Sequence, residues 1–586
     1  MPNPIFAQQL YAYQNNATGQ RTVIATAADA TGSQSFTNNI VYWDANGAMQ
    51  SIFTPTVGGL DVRMVNSRDY AYFTDGVAAD LKKWTISGTV TKWGIAAPVS
   101  ALAFTLVGGG AITLLTGRKY YTAYENSVTG HYSGLSPISA TTGAITSENI
   151  SITGIPVSSD SQVDKKVLLA TADGGDPSVL YFVVELAAAT TTYTDATPEE
   201  TLLFNNVFLY TDDSAVEHGL ANNTPPPNGS FPTAHRGRLF MASGETLAFS
   251  KSLDEVITST GVIAGRYEEC WPSENQLLVS QTAEQIHGLL SDGTALYIGT
   301  ELHIRRLLGD SPDTFVEPDV SFSNTGLLTQ NVWQVVYLEG TPIGMMWLTP
   351  DLRLMASDFN TYDNVGTAIQ TTLNTINRSA VDNCWAMFVG NGPYSFYVLF
   401  LATGTNTVPD TMCVYDLHLR QWFTWKCLDG FTTGLYYVNI AGVARWMVID
   451  QTGQMRTFDS SYVMDRQGDS TQAGIVSTVK SVWLNFGDDT TRKALNEVEV
   501  ITSDSTATLT VEGASTATQF VTPNAVVTSG TLATSPFGDF KVYLAGRVTK
   551  DRNYRLTFNS TSNTNSTADD ILLSYLSAEV YPLHRF

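Results

Sequence analysis

Three adjacent carboxylate pairs, Glu268-Glu269, Asp488-Asp489 and Asp569-Asp570, are the residues here best suited to acid–base chemistry. Two carboxyls about 5–10 Å apart across a cleft hydrolyse glycosides. Neighbours along a strand point to opposite faces, however, and neighbours on a loop are normally solvated. The same pairs, with Asp173 and Asp176 in TADGGDPS, offer oxygen ligands of the kind Ca²⁺ takes, yet no EF-hand spacing accompanies them. Ser291-Asp292-Gly293-Thr294 approaches a sialidase Asp box, but lacks the tryptophan and stands alone. Gly130-His131-Tyr132-Ser133-Gly134 does not have the spacing of a nucleophile elbow. His131, His218, His235, His287, His303, His418 and His584 are scattered, with no H-E-x-x-H among them. Gly108-Gly109-Gly110 lacks the Lys-Ser/Thr of a phosphate loop and reads as a turn. Cys270, Cys384, Cys413 and Cys427 form no C-x-x-C pair and sit in apolar surroundings, so they read as buried thiols. The expectation is a protein that is not an enzyme, with no catalytic, cofactor-binding or metal-ligating residue and no cofactor.

Charge narrows the class of partner. Lys and Arg total 32 against 55 Asp and Glu, a net of −23 over 586 residues. Such a balance is wrong for gripping nucleic acid through its phosphates. It suits either a soluble surface or a wall past which DNA moves without sticking. The doublets Lys82-Lys83, Lys165-Lys166 and Arg305-Arg306 lie in no basic stripe and read as salt bridges or subunit contacts. Met-Pro-Asn-Pro-Ile-Phe-Ala-Gln-Gln shows no basic region followed by an apolar one, and no apolar run approaches the roughly 18 residues of a membrane helix. The expectation is therefore a soluble protein made in a cytoplasm, with no membrane-spanning segment.

The elements that would position these residues are strands. Only 15% of residues are charged, which disfavours long exposed helices. Short apolar runs rich in Val, Tyr, Phe, Leu and Thr recur between turn residues. Helical patterning is confined to short stretches near Val365 to Ile376 and Ser252 to Ile257. A strand–turn–strand unit appears at Asn39 to Phe53, Asp69 to Trp84, Arg238 to Lys251, Ala295 to Leu307, Met345 to Ser357 and Arg445 to Asp459. From Arg238, with a further pair at Phe396, the units start 57, 50, 51 and 49 residues apart, the period of a four-stranded propeller blade. Cys413 to Lys426, CVYDLHLRQWFTWK, has a kelch-like cadence. Trp422-Phe423-Thr424-Trp425 within it reads as blade-core packing.

The repeat breaks between about 97 and 222, where alternating strands fit an immunoglobulin or fibronectin type III-like sandwich. Asn222-Asn223-Thr224-Pro225-Pro226-Pro227-Asn228-Gly229 marks its exit. A third pattern of alternating strands starts near Ala473. The expected fold is all-β: a β-propeller with an inserted sandwich and a C-terminal β-sandwich. The boundaries are 1–96 (N-terminal arm and early blades), 97–222 (inserted sandwich), 223–472 (main blades) and 473–586 (C-terminal sandwich).

Several short motifs, in order, carry a resemblance. They are Asn38-Asn39-Ile40-Val41-Tyr42-Trp43-Asp44, DYAYFTDG from Asp69, and His235-Arg236-Gly237-Arg238-Leu239-Phe240 with Leu247-Ala248-Phe249-Ser250-Lys251. Ala295-Leu296-Tyr297-Ile298-Gly299-Thr300 leads to His303-Ile304-Arg305-Arg306-Leu307-Leu308-Gly309, and Met346-Trp347-Leu348-Thr349-Pro350-Asp351 follows, with Leu352 in place of a glycine. In these the chain resembles the tail nozzle, or tail-hub, proteins of short-tailed bacteriophages. The resemblance implies a virion structural protein of the tail, made in the host cytoplasm. It implies a homohexameric ring that closes the tail and conducts DNA during ejection without binding it specifically. It further implies contacts with a portal-adaptor ring and with tail fibres or spikes. The competing expectation is a receptor- or glycan-binding β-propeller on a virion or cell surface.

Overall fold

The computed structural model describes residues 6–28, 39–44, 49–56, 62–86, 88–205, 207–209, 219–252, 266–280, 283–391, 394–426, 430–438 and 444–451, and beyond these the strands named below. The chain is all-β, built of many small antiparallel sheets, and divides into two compact units, Met1–Thr457 and Phe458–Phe586. That division falls ahead of the 472/473 boundary drawn from the sequence.

Among the described residues the first unit contains seven sheets in which neighbouring strands are consecutive in the chain. The first comprises Phe6–Gln14, Arg21–Ala28, Asn39–Trp43 and Met49–Phe53, so part of the stretch read as an arm is itself strand. The second holds Arg63–Ser67, Tyr70–Thr74, Lys82–Trp84 and Thr91–Lys92. The third holds Ser230–His235, Arg238–Ser243, Thr246–Phe249 and Gln276–Leu278, and the fourth Ile286–Ser291, Leu296–Thr300, Ile304–Leu308 and Val316–Phe322. The fifth holds Gln334–Leu338, Thr341–Leu348, Leu354–Ser357 and Tyr362–Asn364, and the sixth Trp385–Asn391, Tyr394–Leu401, Thr411–Asp416 and Gln421–Lys426. Phe431–Val438, Ala444–Asp450 and Met455–Phe458 make the seventh. The period near 50 residues read from the sequence marks the second strand of sheets three to seven.

These second strands are apolar on both sides because both sides are covered. In Arg238–Ser243, Leu239 and Met241 join a core with Val65, Tyr72 and Trp271, while Phe240 and Ala242 join another with Ile286, Leu296 and Ile298. Alternation along a strand sends successive side chains into successive inter-sheet cores. Full burial of each such Leu or Phe stabilises the fold by roughly 1.5–3 kcal/mol. Two hairpins are set by paired left-handed residues, Arg236 (φ 44°) with Gly237 (φ 74°) and Glu339 (φ 51°) with Gly340 (φ 81°). Two-residue loops of this kind match the twist of the strands they join.

Every sheet shares buried side chains or hydrogen bonds with the next. Tyr13, Ile24 and Ile40 of the first pack on Ala71, Phe73 and Trp84 of the second. Tyr297 and Phe322 of the fourth, Met345 and Trp347 of the fifth and Tyr397 and Cys413 of the sixth share one core. The Trp385 indole of the sixth sheet donates to the Phe431 carbonyl of the seventh at 3.1 Å. Leu10, Val23, Ala25 and Val41 of the first sheet then pack on Met447 and Ile449 of the seventh, so the series of contacts returns to its start.

Between the second and third sheets the chain leaves to form two further sheets. One is three-stranded, in the order Thr192–Asp195, Ile145–Thr153, Ala103–Leu114. The other is five-stranded, in the order His131–Leu135, Tyr120–Asn126, Lys165–Ala170, Val179–Ala187, Val207–Leu209. Ile112, Ile150 and Ile152 of one share a core with Tyr120, Leu168 and Val183 of the other. The fully buried Arg118 holds one end of this pair, donating to Asp195 (3.1 Å) and Glu199 (2.9 Å).

Among the described residues the second unit contains a hairpin, Met464–Gln467 with Thr471–Gly474, and two sheets. One runs Val476–Lys480, Asn553–Thr561, Thr508–Ala514, Asn524–Thr528; the other runs Gly538–Tyr543, Lys493–Thr502, Tyr575–Pro582. Helix is scarce among the described residues. Within Val365 to Ile376 lie a 3₁₀ turn, Gly366–Ile369, and one helical turn, Gln370–Leu373. The candidate at Ser252 to Ile257 lies outside the described residues beyond Ser252.

Candidate functional site

Of the three carboxylate pairs, Glu268-Glu269 lies in the described structure, and it is fully buried. The 3₁₀ turn Tyr267–Glu269 carries it between the third strand of the third sheet and that sheet's outer strand. Lys83, on the third strand of the second sheet, places its ammonium 2.6 Å from both oxygens of Glu269. Arg266 donates to Glu268 at 3.0 Å and also pairs with Asp69. The indoles of Trp93 and Trp271 both donate to the Glu268 carbonyl, at 2.6 and 3.0 Å. His131, from the edge strand of the five-stranded sheet, brings Nε2 to 3.9 Å from Glu269. Its Nδ1 accepts the Arg266 backbone N–H at 3.3 Å, which puts the neutral ring's proton on Nε2.

Three carboxylates, Asp69, Glu268 and Glu269, thus face three cations, Arg68, Lys83 and Arg266. Burial alone would raise the Glu269 carboxyl. The Lys83 charge, with smaller contributions from His131 and Arg266, outweighs it and holds Glu269 below the usual carboxylate range. Burial pushes His131 down to about 4, aided by Lys83 and Arg266 and opposed by Glu269. Burial and then the two glutamates push the Tyr72 hydroxyl well up. No oxygen of the glutamate pair meets solvent, so the pair has no surface from which to act on a substrate. What it does is mechanical: it joins the second sheet, the third sheet and the inserted sheets through one charge-balanced knot.

The other sequence candidates fall in turns and inter-sheet contacts. Asp173 accepts the backbone N–H groups of Leu115, Thr116 and Gly117, and Asp176 that of Ser178, so both cap turns. Asp292 accepts from the N–H groups of Thr294 and Ala295, closing the hairpin loop of the fourth sheet. Gly108-Gly109-Gly110 is part of Ala103–Leu114 rather than a turn before a strand, because Gly110 sits over the Asn149 backbone where any Cβ would collide. Cys270, Cys384 and Cys413 are buried, and burial pushes the Cys384 thiol up to about 11. Cys427, His218, His584, Asp488-Asp489 and Asp569-Asp570 lie outside the described residues. Among the described residues no three His, Cys, Asp or Glu side chains gather as a metal site.

Arg305 pairs within its own chain, 3.3 Å from Glu284, which also accepts from Thr300 and lies 2.9 Å from His303 Nδ1. Lys165 pairs with Glu185, and the buried Lys166 donates to the carbonyls of Pro156 and Thr190. Trp422 is half-buried and donates to the Val365 carbonyl at 2.8 Å, while Phe423 is exposed. The His235–Phe240 motif joins the third sheet to its successor. His235 Nδ1 meets Ser291 Oγ at 2.8 Å, and the buried Arg238 reaches the Asp310 carbonyl at 3.1 Å.

One contact went unforeseen because 268 residues separate its partners. Arg63, opening the first strand of the second sheet, donates to Asn331 Oδ1 at 2.7 Å, just ahead of the fifth sheet. The Arg63 guanidinium also lies over the Phe231 ring of the third sheet. Asn331 in turn reaches toward the Asp382 carbonyl ahead of the sixth, at 3.4 Å. Side chains from sheets three places apart in the series therefore meet.

A family model described as an HTH three-helical bundle matches residues 278–315. Those residues form three strands of the fourth sheet, so the match does not bring the helices of its description. No curated protein matches the chain. Among solved structures, the chain is similar to apo AztD from Citrobacter koseri at 9% identity and TM-score 0.30, over 71% of this chain and 86% of that one. It is similar to Kluyveromyces lactis Hsv2 at 11% identity and TM-score 0.26, over 72% and 98%. It is similar to the dihydro-heme d1 dehydrogenase NirN at 7% identity and TM-score 0.25, over 72% and 75%. Likenesses at these TM-scores carry no argument about function.

Proposed function

We propose that the first unit is a seven-bladed β-propeller interrupted after its second blade by a β-sandwich, and that the protein is a virion structural subunit of the tail-nozzle kind. In this reading several copies form a ring that closes a phage tail and later conducts DNA. The observation that carries it is the order of the sheets. Two come from the N-terminal stretch, the insertion follows, five more succeed it, and the first packs on the last. That order is what the resemblance of the short motifs implies. The contact of Arg63 with Asn331 supports a further point. It joins the second sheet to the segment just ahead of the fifth, positions that face each other across the axis of a seven-bladed ring, so in this reading the conduit lies between copies and not along the axis of one chain. The charge of −23 suits a lumen wall that does not retain phosphate backbones.

Electron microscopy of the purified protein, or of the particle that contains it, tests this reading. The expected result is a ring of copies around a pore wide enough for duplex DNA. A monomer or trimer whose melting temperature rises with a defined sugar would replace it with the glycan-binding reading.

A further inference from the structure

We propose that the outer edge of Ala103–Gly108 in the inserted sheets is a docking site for an extended segment of a different protein, which adds to the three-stranded sheet as a further strand. The segment is uncharged at its centre and carries Lys or Arg on its flanks. The proposal stands apart from the nozzle reading and holds for any assembly.

Among the described residues the strand Ala103–Leu114 stands last in its sheet and pairs with Ile145–Thr153, through Ala103↔Thr153 to Gly108↔Glu148. Among the described residues nothing pairs with its other side. Natural edge strands are blunted by lysine, proline or inward charge, because bare N–H and C=O groups recruit other strands. Here no charged residue occurs from Pro98 to Gly117, and no proline after Pro98. The sheet is also two strands narrower than the five-stranded sheet on which it packs. Its inward-facing row shows the shortfall: Leu102 is 4% exposed, Phe104 is partly buried, and Leu106 is 40% exposed. The next side chain, Val107, is also exposed. An added strand would cover this rim and satisfy the bare edge.

The insertion is held firmly enough to present that edge. His131 enters the charge knot, Gly134 N–H donates to the Asn223 carbonyl at 2.8 Å, and Gln162 donates to the Gly94 carbonyl at 2.9 Å. Charge selects the occupant. Residues 97–222 hold four Lys and Arg against thirteen Asp and Glu, a net of −9. Glu148 stands opposite Gly108 at this rim. A second copy would bring like charge to this rim, whereas a segment with basic flanks is attracted to it.

The test uses the full-length protein and two synthetic peptides, Lys-Lys-(Val-Thr)3-Lys-Lys and Glu-Glu-(Val-Thr)3-Glu-Glu. The basic peptide should bind at least about tenfold more tightly at low salt, a difference of about 1.4 kcal/mol that shrinks as salt rises. Thr105→Pro and Leu106→Pro distinguish the edge from the fold. Adjacent residues of an antiparallel strand direct their N–H groups to opposite sides, so one variant breaks the ladder to Ile145–Thr153 and the other removes an outward donor. The variant that keeps the parent's melting temperature should lose peptide binding by tenfold or more. Undiminished binding by that variant, equal affinity for both peptides, or self-association through cross-links at 103–108 would each overturn the proposal.

Discussion

At the scale of single residues, the buried knot around Glu269 sets the largest effects. Removing one partner of a buried ion pair leaves the other charge uncompensated, at a cost of about 3–5 kcal/mol. Lys83→Met should therefore lower stability by that order, measured by denaturant unfolding. The double variant Lys83→Met/Glu269→Met should recover much of the loss, since it leaves no lone charge. A double variant as unstable as Lys83→Met alone would show that the knot's other members depend on Glu269 itself. The two buried histidines give a pH dependence. Burial lowers both His131 and His235 to about 4 from the ordinary 6.5. The unfolded chain thus takes up these protons first as pH falls. The stability they contribute is complete above pH 6.5 and is lost progressively between 6.5 and 4. Each histidine accounts for at most about 3 kcal/mol of that loss. Melting temperatures should fall across this window, and His131→Gln/His235→Gln should flatten the fall; an unchanged slope would assign it to other groups.

At the scale of elements, close approach between strands limits what the sequence can tolerate. Gly344, within Thr341–Leu348, would place a Cβ 1.9 Å from the Ser357 carbonyl oxygen. Backbone cannot yield as a side-chain tip can, so Gly344→Ala should destabilise by roughly 1–3 kcal/mol, as overpacking does. Gly340→Ala offers a contrast. Nothing lies within 4 Å of its Cβ, and its cost comes only from φ 81°. Calorimetry of the two variants should give the larger loss at Gly344. The strand pairs themselves were legible because a four-stranded sheet buried on both faces needs apolar runs and tight turns at fixed intervals. The pairs at 238–251, 295–307, 345–357 and 413–426 each coincide with two adjacent antiparallel strands. The strands Phe6–Gln14 and Arg21–Ala28 were missed, since polar and small residues interrupt their apolar pattern.

At the scale of the whole molecule, closure and charge carry the expectations. The first and seventh sheets bury Met447 and Ile449 against Leu10, Val23, Ala25 and Val41. Deleting residues 1–56 should therefore disturb the far end of the first unit. Hydrogen exchange at Ala444–Asp450 should accelerate as much as at Tyr70–Thr74, where Tyr13 and Ile24 are lost. Unchanged protection at 444–450 would contradict a series of sheets that returns on itself. The −23 charge predicts no measurable affinity for linear duplex DNA at moderate salt. Tight, salt-sensitive binding in a mobility-shift or anisotropy assay would remove the support that charge lends to the conduit reading.

By itself the sequence determined the strand class and the approximate spacing of the strand pairs, because period-two patterning and turn residues act over a few neighbours. It also determined net charge, which needs no geometry. Only the tertiary structure decided that Glu268-Glu269 is an interior knot and not a surface pair, because the neutralising Lys83 lies far away in sequence. The same holds for Arg63 and Asn331, and for the edge at 103–108, which pairs with no strand among the described residues. Which side of a strand goes unpaired depends on every other strand in its sheet, and no local pattern records it.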